Sequence, residues 1–192
     1  MSINKQVTIL LITMLLSGSV CAQVKYEKEY RIKTEDVPPK ALNFIREIES
    51  GDNIRWYREE SLNSASVEAK FKFNDRQYSI EFDTLGNLQD VEFNVSEKSL
   101  SKVLFKTISV GLDTLFDNWK FRKIQQHRAG PEEALLAYIK NQIEDDNLTI
   151  LYEIVLKGKK EDAIELYQIT FNAKGEVVEK LRIVQSDADN LE

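Results

Sequence analysis

The sequence predicts an α+β protein, a tandem repeat of a helix packed on a four-stranded antiparallel sheet, with an extra helix inserted in the second repeat. Three observations predict it. Between residues 35 and 96 an amphipathic helical stripe is followed by four short segments of apolar/polar alternation. The string Y-x-I-x-F-D/N-x-x-G-x-L/V runs from Tyr78 to Leu88 and again, without a gap, from Tyr167 to Val177, a shift of 89 residues with six positions in agreement. The first strands of the two halves align at a smaller shift, near 65, so the second half carries an insertion of about two dozen residues.

The N-terminus reads as an export signal. Lys5 precedes an apolar run from Val7 to Leu16, and Ser17-Gly18-Ser19-Val20-Cys21-Ala22 supplies small residues. That run is about half of the ~20 residues a membrane-spanning helix needs. Residues 1–22 are therefore expected to be cleaved after Ala22, leaving a periplasmic or secreted protein. Gly18-Ser19-Val20 makes a poor lipobox before Cys21, which argues against a lipid anchor there. The remaining 170 residues hold no cysteine and carry a net charge of −7 rather than −6. With no disulfide possible, stability must come from an apolar core, and a chain of this length buries roughly 70% of its unfolded surface. The acidic balance, without a stripe of Lys/Arg interleaved with aromatics, argues against nucleic acid as partner.

The first repeat is expected over residues 23–96. Val24 to Ile32 alternates as a lead-in strand. Asp36 and Val37-Pro38-Pro39 open a helix, because proline is tolerated in a first turn whose N–H groups lack helical partners. Ala41, Phe44, Ile45 and Ile48 give its apolar stripe, and Gly51 ends it. Strands follow at about 53–60, 65–74, 76–83 and 87–96. One face collects Ile54, Trp56, Val67, Ala69, Phe71, Phe73, Tyr78, Ile80, Phe82, Val91, Phe93 and Val95. The other collects Arg55, Tyr57, Glu59, Glu68, Lys70, Lys72, Gln77, Ser79, Glu81, Asp90 and Glu92. A helix on one side and water on the other predicts this division.

The second repeat is expected over 97–185. Ser96-Glu97 opens a helix with Leu104, Ile108, Leu112, Leu115 and Phe116 on its apolar side, and Trp119 and Phe121 begin the next strand. Ala129-Gly130-Pro131-Glu132-Glu133 introduces the inserted helix, at about 131–143. Leu181 and Ile183 fall one residue out of phase with Val91 and Phe93 relative to their turn glycines, which predicts a bulge or shifted register. Residues 186–192 form an acidic tail expected to fray.

Val37-Pro38-Pro39-Lys40-Ala41-Leu42, Ile54-Arg55-Trp56-Tyr57-Arg58-Glu59, Tyr78-Ser79-Ile80-Glu81-Phe82 and Asp83-Thr84-Leu85-Gly86 together resemble the PepSY-like proteins. These are exported bacterial proteins similar in fold to the beta-lactamase-inhibitor proteins, built as tandem helix-plus-four-strand units. The resemblance covers 35–96 well and 97–185 more loosely. It implies an envelope binding or inhibitory module and brings no catalytic set to carry over. It does not imply that this chain inhibits a beta-lactamase.

Little in the chain suggests enzyme chemistry. After residue 22 there is no Cys, one His and no G-x-S-x-G elbow. His127, between Gln126 and Arg128 on a polar strand, reads as a surface imidazole, and one His with scattered carboxylates is a poor zinc set. Asp83, Asp90 and Glu92 could approach one another around the Gly86 hairpin and interest calcium. However, no D-x-D/N-x-D/N-G loop is present and Asn172 replaces Asp83 in the repeat, so Asp83 reads as a turn residue. No cofactor and no metal are expected.

Binding through the outward sheet face is the leading class, its partner an unidentified envelope protein or peptide. Tyr57 is the sharpest candidate, an amphipathic ring beside Arg55, Glu59 and Lys70 on a charged face. Leu151 and Val155 point away from Ile150, Tyr152, Ile154 and Leu156. They lie either under the inserted helix or in a partner-contact patch. The alternatives are an extracellular hydrolase using acids that the sequence does not single out, and a structural or sensory accessory of an envelope complex. Two converging, buried carboxylates in a pocket would favour the hydrolase.

Overall fold

The computed structural model describes residues 23–25, 27–48, 53–61 and 64–183. The expected leader with Cys21, and the tail at 186–192, lie outside the described residues. Among the described residues there are ten strands: β1 (Gln23–Lys25), β2 (Glu27–Ile32), β3 (Arg55–Ser61), β4 (Ala65–Phe73), β5 (Arg76–Asp83), β6 (Leu88–Asn94), β7 (Asn118–Ala129), β8 (Thr149–Lys160), β9 (Ala163–Asn172) and β10 (Val177–Ile183). Helices α1 (Pro39–Ile48), α2 (Lys102–Leu115) and α3 (Glu132–Asn141) accompany them.

The expected tandem of two helix-on-four-strand units is corrected here. All ten strands belong to one sheet, in the order β1-β10-β9-β8-β7-β6-β5-β4-β3-β2. What joins the anticipated halves is the antiparallel pairing of β6 with β7, through Val91↔Arg128, Glu92↔His127, Phe93↔Gln126 and Asn94↔Gln125. Neither half therefore keeps a free inner edge.

From β2 to β10 every neighbouring pair is antiparallel, and nine strands so joined leave the first and last running the same way. A strand of that direction can meet β10 only in parallel. β1 does so, through Gln23↔Leu181, Val24↔Arg182 and Lys25↔Ile183. Lys25 and Glu27 are at most ~7 Å apart along the chain, yet they sit at opposite ends of the strand order. The sheet therefore curls until both its ends meet the N-terminal segment, in the manner of a splayed barrel.

The convex face carries the helices and the core. Ala41, Phe44, Ile45 and Ile48 of α1 pack on Trp56, Val67, Ala69, Phe71, Ile80, Phe82 and Val91. Leu104, Ile108 and Leu112 of α2, with Phe116, pack on Ile124, Ile154, Leu156, Tyr167, Ile169 and Phe171. Ser101, not Ser96, caps α2, its Oγ accepting from Leu104 N at 3.2 Å, because Glu97–Ser99 forms a separate 3₁₀ turn.

The inserted helix α3 goes to the other core. Ala134, Leu135, Tyr138 and Ile139 pack beside α1, with Tyr138 stacked on Phe93 at 5.8 Å between centroids. Arg128, 4% exposed, clamps it there. Its guanidinium lies 3.7 Å over the Tyr138 ring and donates to both oxygens of Glu144, just beyond α3.

Two turns are built alike. Asp83 O accepts from Gly86 N at 2.9 Å, and Asn172 O accepts from Gly175 N at 2.9 Å. Both glycines have positive φ, 85° and 84°. Gly86 also lies against α1, where an added Cβ would sit 2.8 Å from Pro38 Cβ and 3.0 Å from Ala41 N. The expected bulge does not account for the phase difference in the last strand. β5–β6 shifts register between Glu81 and Phe82 just as β9–β10 does between Val177 and Glu179. Lys180, not an apolar residue, therefore stands where Val91 stands in the first half, and Leu181 faces the other side.

Gly86→Ala should therefore lose at least ~1–2 kcal/mol in urea unfolding, since a side chain is disfavoured at left-handed φ and has no room here. A loss below about 0.5 kcal/mol would contradict this turn geometry.

Candidate functional site

Side chains two apart on a strand share a face, so register alone assembles the helix-free face. Tyr57, Glu68, Glu81 and Asp90 form one row across β3 to β6. Lys70, Ser79, Glu92, His127 and Leu151 form another across β4 to β8. Gln125, Glu153, Thr170 and Glu179 form a third across β7 to β10. Because the sheet curls, these rows face one another around a cavity of about 420 Å³ to which every strand from β2 to β10 contributes. Seven glutamates line it (Glu29, Glu59, Glu68, Glu81, Glu92, Glu153 and Glu179), against Lys70, Lys123 and His127.

This corrects the sheet face expected to lie open to water. Glu68, Gln125 and Gln168 are buried, and the side chains of Asp90, Glu92, His127 and Glu153 are only 15–21% exposed. The polar groups are largely satisfied by one another. Lys70 Nζ donates to Glu29 Oε2 at 2.7 Å, pairs with Glu68 Oε2 at 2.9 Å and lies 4.8 Å from the Tyr57 ring centre. Ser79 Oγ donates to Glu68 Oε1. Gln125 Nε2 donates to Glu92 Oε2 at 2.8 Å, and Gln168 Nε2 to Glu153 Oε2 at 2.6 Å.

His127 stands among carboxylates, not at the surface. Its Nε2 is 3.1 Å from Glu92 Oε1 and 3.6 Å from Glu153 Oε2, and its Nδ1 is 4.0 Å from Asp90 Oδ2. Asp90 Oδ1 is buried and has no hydrogen-bond partner among the described residues. Burial, followed by the charges of Glu81, Glu153 and Glu68, pushes Asp90 up to about 7. Burial, then Asp90 and the other acids, pushes Glu92 up to about 9. Burial works against the charge on Lys70, but Glu68 and Glu29 outweigh it and raise that group. Perturbed acids gathered in a cleft are a frequent mark of a working site.

The sequence-selected residues divide. Glu59, Lys70 and Val155 line the cavity. Tyr57 is half-buried on the same face, its ring covered by Lys70. Arg55 is exposed and lines a neighbouring groove with Lys70 and Ser79. Leu151 is half-buried opposite His127. Neither Leu151 nor Val155 lies under α3, which packs on the convex side. Asp83 does not join Asp90 and Glu92. Asn87 donates to it from its side chain (2.6 Å) and its backbone (2.8 Å), and these bonds lower its pKa. The residues that sequence reasoning undervalued are Asp90, Glu92, His127 and Glu153. Asp90 and Glu92 share a face at a spacing of two, but only the β6–β7 register brings His127 to them.

No family model matches the chain, and no curated protein matches it. Solved structures share its fold. A DUF2874 family protein from Bacteroides ovatus is 14% identical, over 82% of this chain and 95% of that one, with a TM-score of 0.52. A protein from Bacteroides eggerthii with a provisional periplasmic description is 14% identical, over 76% and 88%, with a TM-score of 0.51. A BLIP-like protein from Bacteroides fragilis is 10% identical, over 79% and 89%, with a TM-score of 0.48. The first two establish a shared architecture, and at such identity they establish nothing about activity. No comparison names the PepSY-like family; what the first two structures share with this chain is its architecture alone. Among the described residues no helix is long and apolar enough to cross a membrane.

The two raised acids fix a pH dependence. Unfolded, they ionise near pH 4. Folded, they hold their protons to about 7 and about 9. The unfolded chain therefore releases protons that the folded one keeps, and stability falls as pH rises from about 4 to about 9. Thermal melts in the presence of a chelator should show Tm falling across this range. Glu92→Gln, which keeps the shape without the charge, should flatten the curve between pH 7 and 9. A wild-type Tm that climbs over that window would contradict the burial.

Proposed function

We propose that the protein is an exported, non-catalytic binding module that holds a positively charged group of a protein, peptide or other envelope ligand on its concave sheet face. The observation that carries this reading is the cavity of about 420 Å³ with seven glutamates and two lysines on its walls. A concave surface of one sign concentrates ligands of the other, and low-dielectric walls strengthen the field. Tyr57, half-buried on the same face, offers an aromatic contact beside the charged rows. The apolar run at Val7–Leu16 supports export, as does the provisional compartment of the Bacteroides eggerthii protein. Inhibition of another protein is one form such binding would take.

A second reading has one observation in its favour. Asp90 and Glu92 converge, largely buried, and both hold protons unusually high, which suits a general acid. Hydrolysis of an envelope polymer would need a second, ionised carboxylate as nucleophile or base. Turnover of peptidoglycan or polysaccharide that Glu92→Gln abolishes would establish the hydrolase and remove the binding reading.

Calorimetric titration of the purified protein with oligolysine and oligoglutamate peptides tests the proposal. The basic peptide should bind, more weakly as salt rises, and the acidic one should not. Glu59→Gln with Glu179→Gln, one from β3 and one from β10, should weaken binding by roughly tenfold, at ~0.5–1 kcal/mol per charge. Tyr57→Ala should weaken it further. Equal affinity for both peptides would overturn the charge argument.

A further inference from the structure

We infer that Asp90, Glu92 and His127 form a binding site for a single divalent transition-metal ion, zinc(II) or one of its close chemical relatives, on the wall of the concave cavity. This goes beyond the binding reading above and does not depend on it.

The geometry is close to what such an ion requires. One donor atom from each of the three residues lies within 4.8 Å of the other two. Metal–oxygen and metal–nitrogen bonds of ~2.0–2.2 Å place donors roughly 3.3–4.3 Å apart, so small side-chain rotations close the site. The backbone is already in place. Asp90 and Glu92 are two apart on β6 and share a face, and His127 is the direct cross-strand partner of Glu92 on β7. A site built on paired strands in the middle of a sheet is held more firmly than one on loops.

An independent observation points the same way. Asp90 Oδ1 is shut off from solvent and accepts no hydrogen bond among the described residues. An orphan lone pair in such a place is costly, and an ion is one of the few things that explains it. The surrounding groups also behave as outer-shell supports. Gln125 holds Glu92 by Oε2, which leaves Oε1 turned toward His127 at 3.1 Å. Gln168 holds Glu153, whose Oε2 lies 3.6 Å from His127 Nε2 and is within reach as a fourth donor. Fixing the ligand that fixes the metal is the usual task of such neighbours.

Charge and ligand type decide the ion. Glu68, Glu81 and Glu153 face the trio from β4, β5 and β8, while Lys70 is committed to Glu29 and Glu68. Lys123 and the His127 imidazole share the wall with these acids, and a doubly charged cation at the trio offsets like charge where Asp90 and Glu92 come together. Calcium takes six to eight oxygens, more than this site offers, and magnesium prefers oxygen alone. An imidazole with two or three carboxylates suits zinc, cobalt(II) or nickel.

The test uses the purified protein, stripped with a chelator and titrated with cobalt(II) and zinc(II). One ion per chain is expected, with visible cobalt absorption of the low-symmetry kind that zinc abolishes by competition. Calcium and magnesium should fail to compete at a hundredfold excess. His127→Ala and Glu92→Gln should each weaken cobalt binding at least tenfold, and Gln125→Ala, which removes the side chain that donates to Glu92, by roughly tenfold. Far-UV circular dichroism checks each variant, and Glu92→Gln is near-isosteric should His127→Ala fail to fold. Absence of cobalt binding to the wild type, or binding that Glu92→Gln leaves unchanged, overturns the site. Titration of metal-free wild type with oligolysine runs in parallel, so that loss of one reading is not mistaken for loss of the other.

Discussion

The two-residue period of the β-strand governs this molecule. Each strand that offers an apolar side chain to the helices must offer its next one to the opposite face. Here the opposite face is not solvent. Curling turns it inward, so the alternation that builds the core also loads a cavity with charge. Trp56, Ala69, Ile80 and Val91 belong to the core, and their immediate neighbours Tyr57, Glu68, Glu81 and Asp90 form a single row on the other side. Like charges directly across from one another cost stability. The row Glu68-Glu81-Asp90 persists through the ion pair with Lys70, the hydrogen bond from Ser79 and the retention of protons.

That arrangement ties stability to recognition. Burial keeps Asp90 and Glu92 protonated to unusually high pH, and any cation that enters beside them relieves the repulsion their ionisation would bring. Favourable binding and a destabilised ground state are then the same electrostatic fact seen from two sides. The amide side chains of Gln125 and Gln168 matter for this reason. They orient Glu92 and Glu153 without adding charge, so the carboxylates are held in place by neutral donors.

Much of the local structure was legible in the sequence. The stripe Ala41, Phe44, Ile45 and Ile48, the four strands of the first half and the Asp83–Gly86 turn all follow from short-range rules, because period and turn chemistry are encoded within a few residues. Neither the single sheet nor its curl was legible. Both rest on pairings between distant segments, Val91 with Arg128 and Gln23 with Leu181, and no local pattern announces which edge a strand will choose. The functional reading suffered from the same gap. Glu92 was assigned to the correct face, but its partner His127 lies 35 residues further along the chain and is brought to it only by the β6–β7 register. His127 therefore looked like an isolated surface group, and its neighbours like scattered acids.

The position of α3 sets how the molecule can be divided. The helix arises late in the chain, yet it roofs Phe93 and sits beside α1, held by Arg128 from β7. A fragment ending near residue 96 would lack this roof and expose an aromatic cluster that the intact chain keeps dry. The complementary fragment would carry a helix with nothing beneath it. The protein is consequently indivisible at its apparent midpoint, and unfolding should proceed as one cooperative event with no half-structured stage at which either portion survives alone.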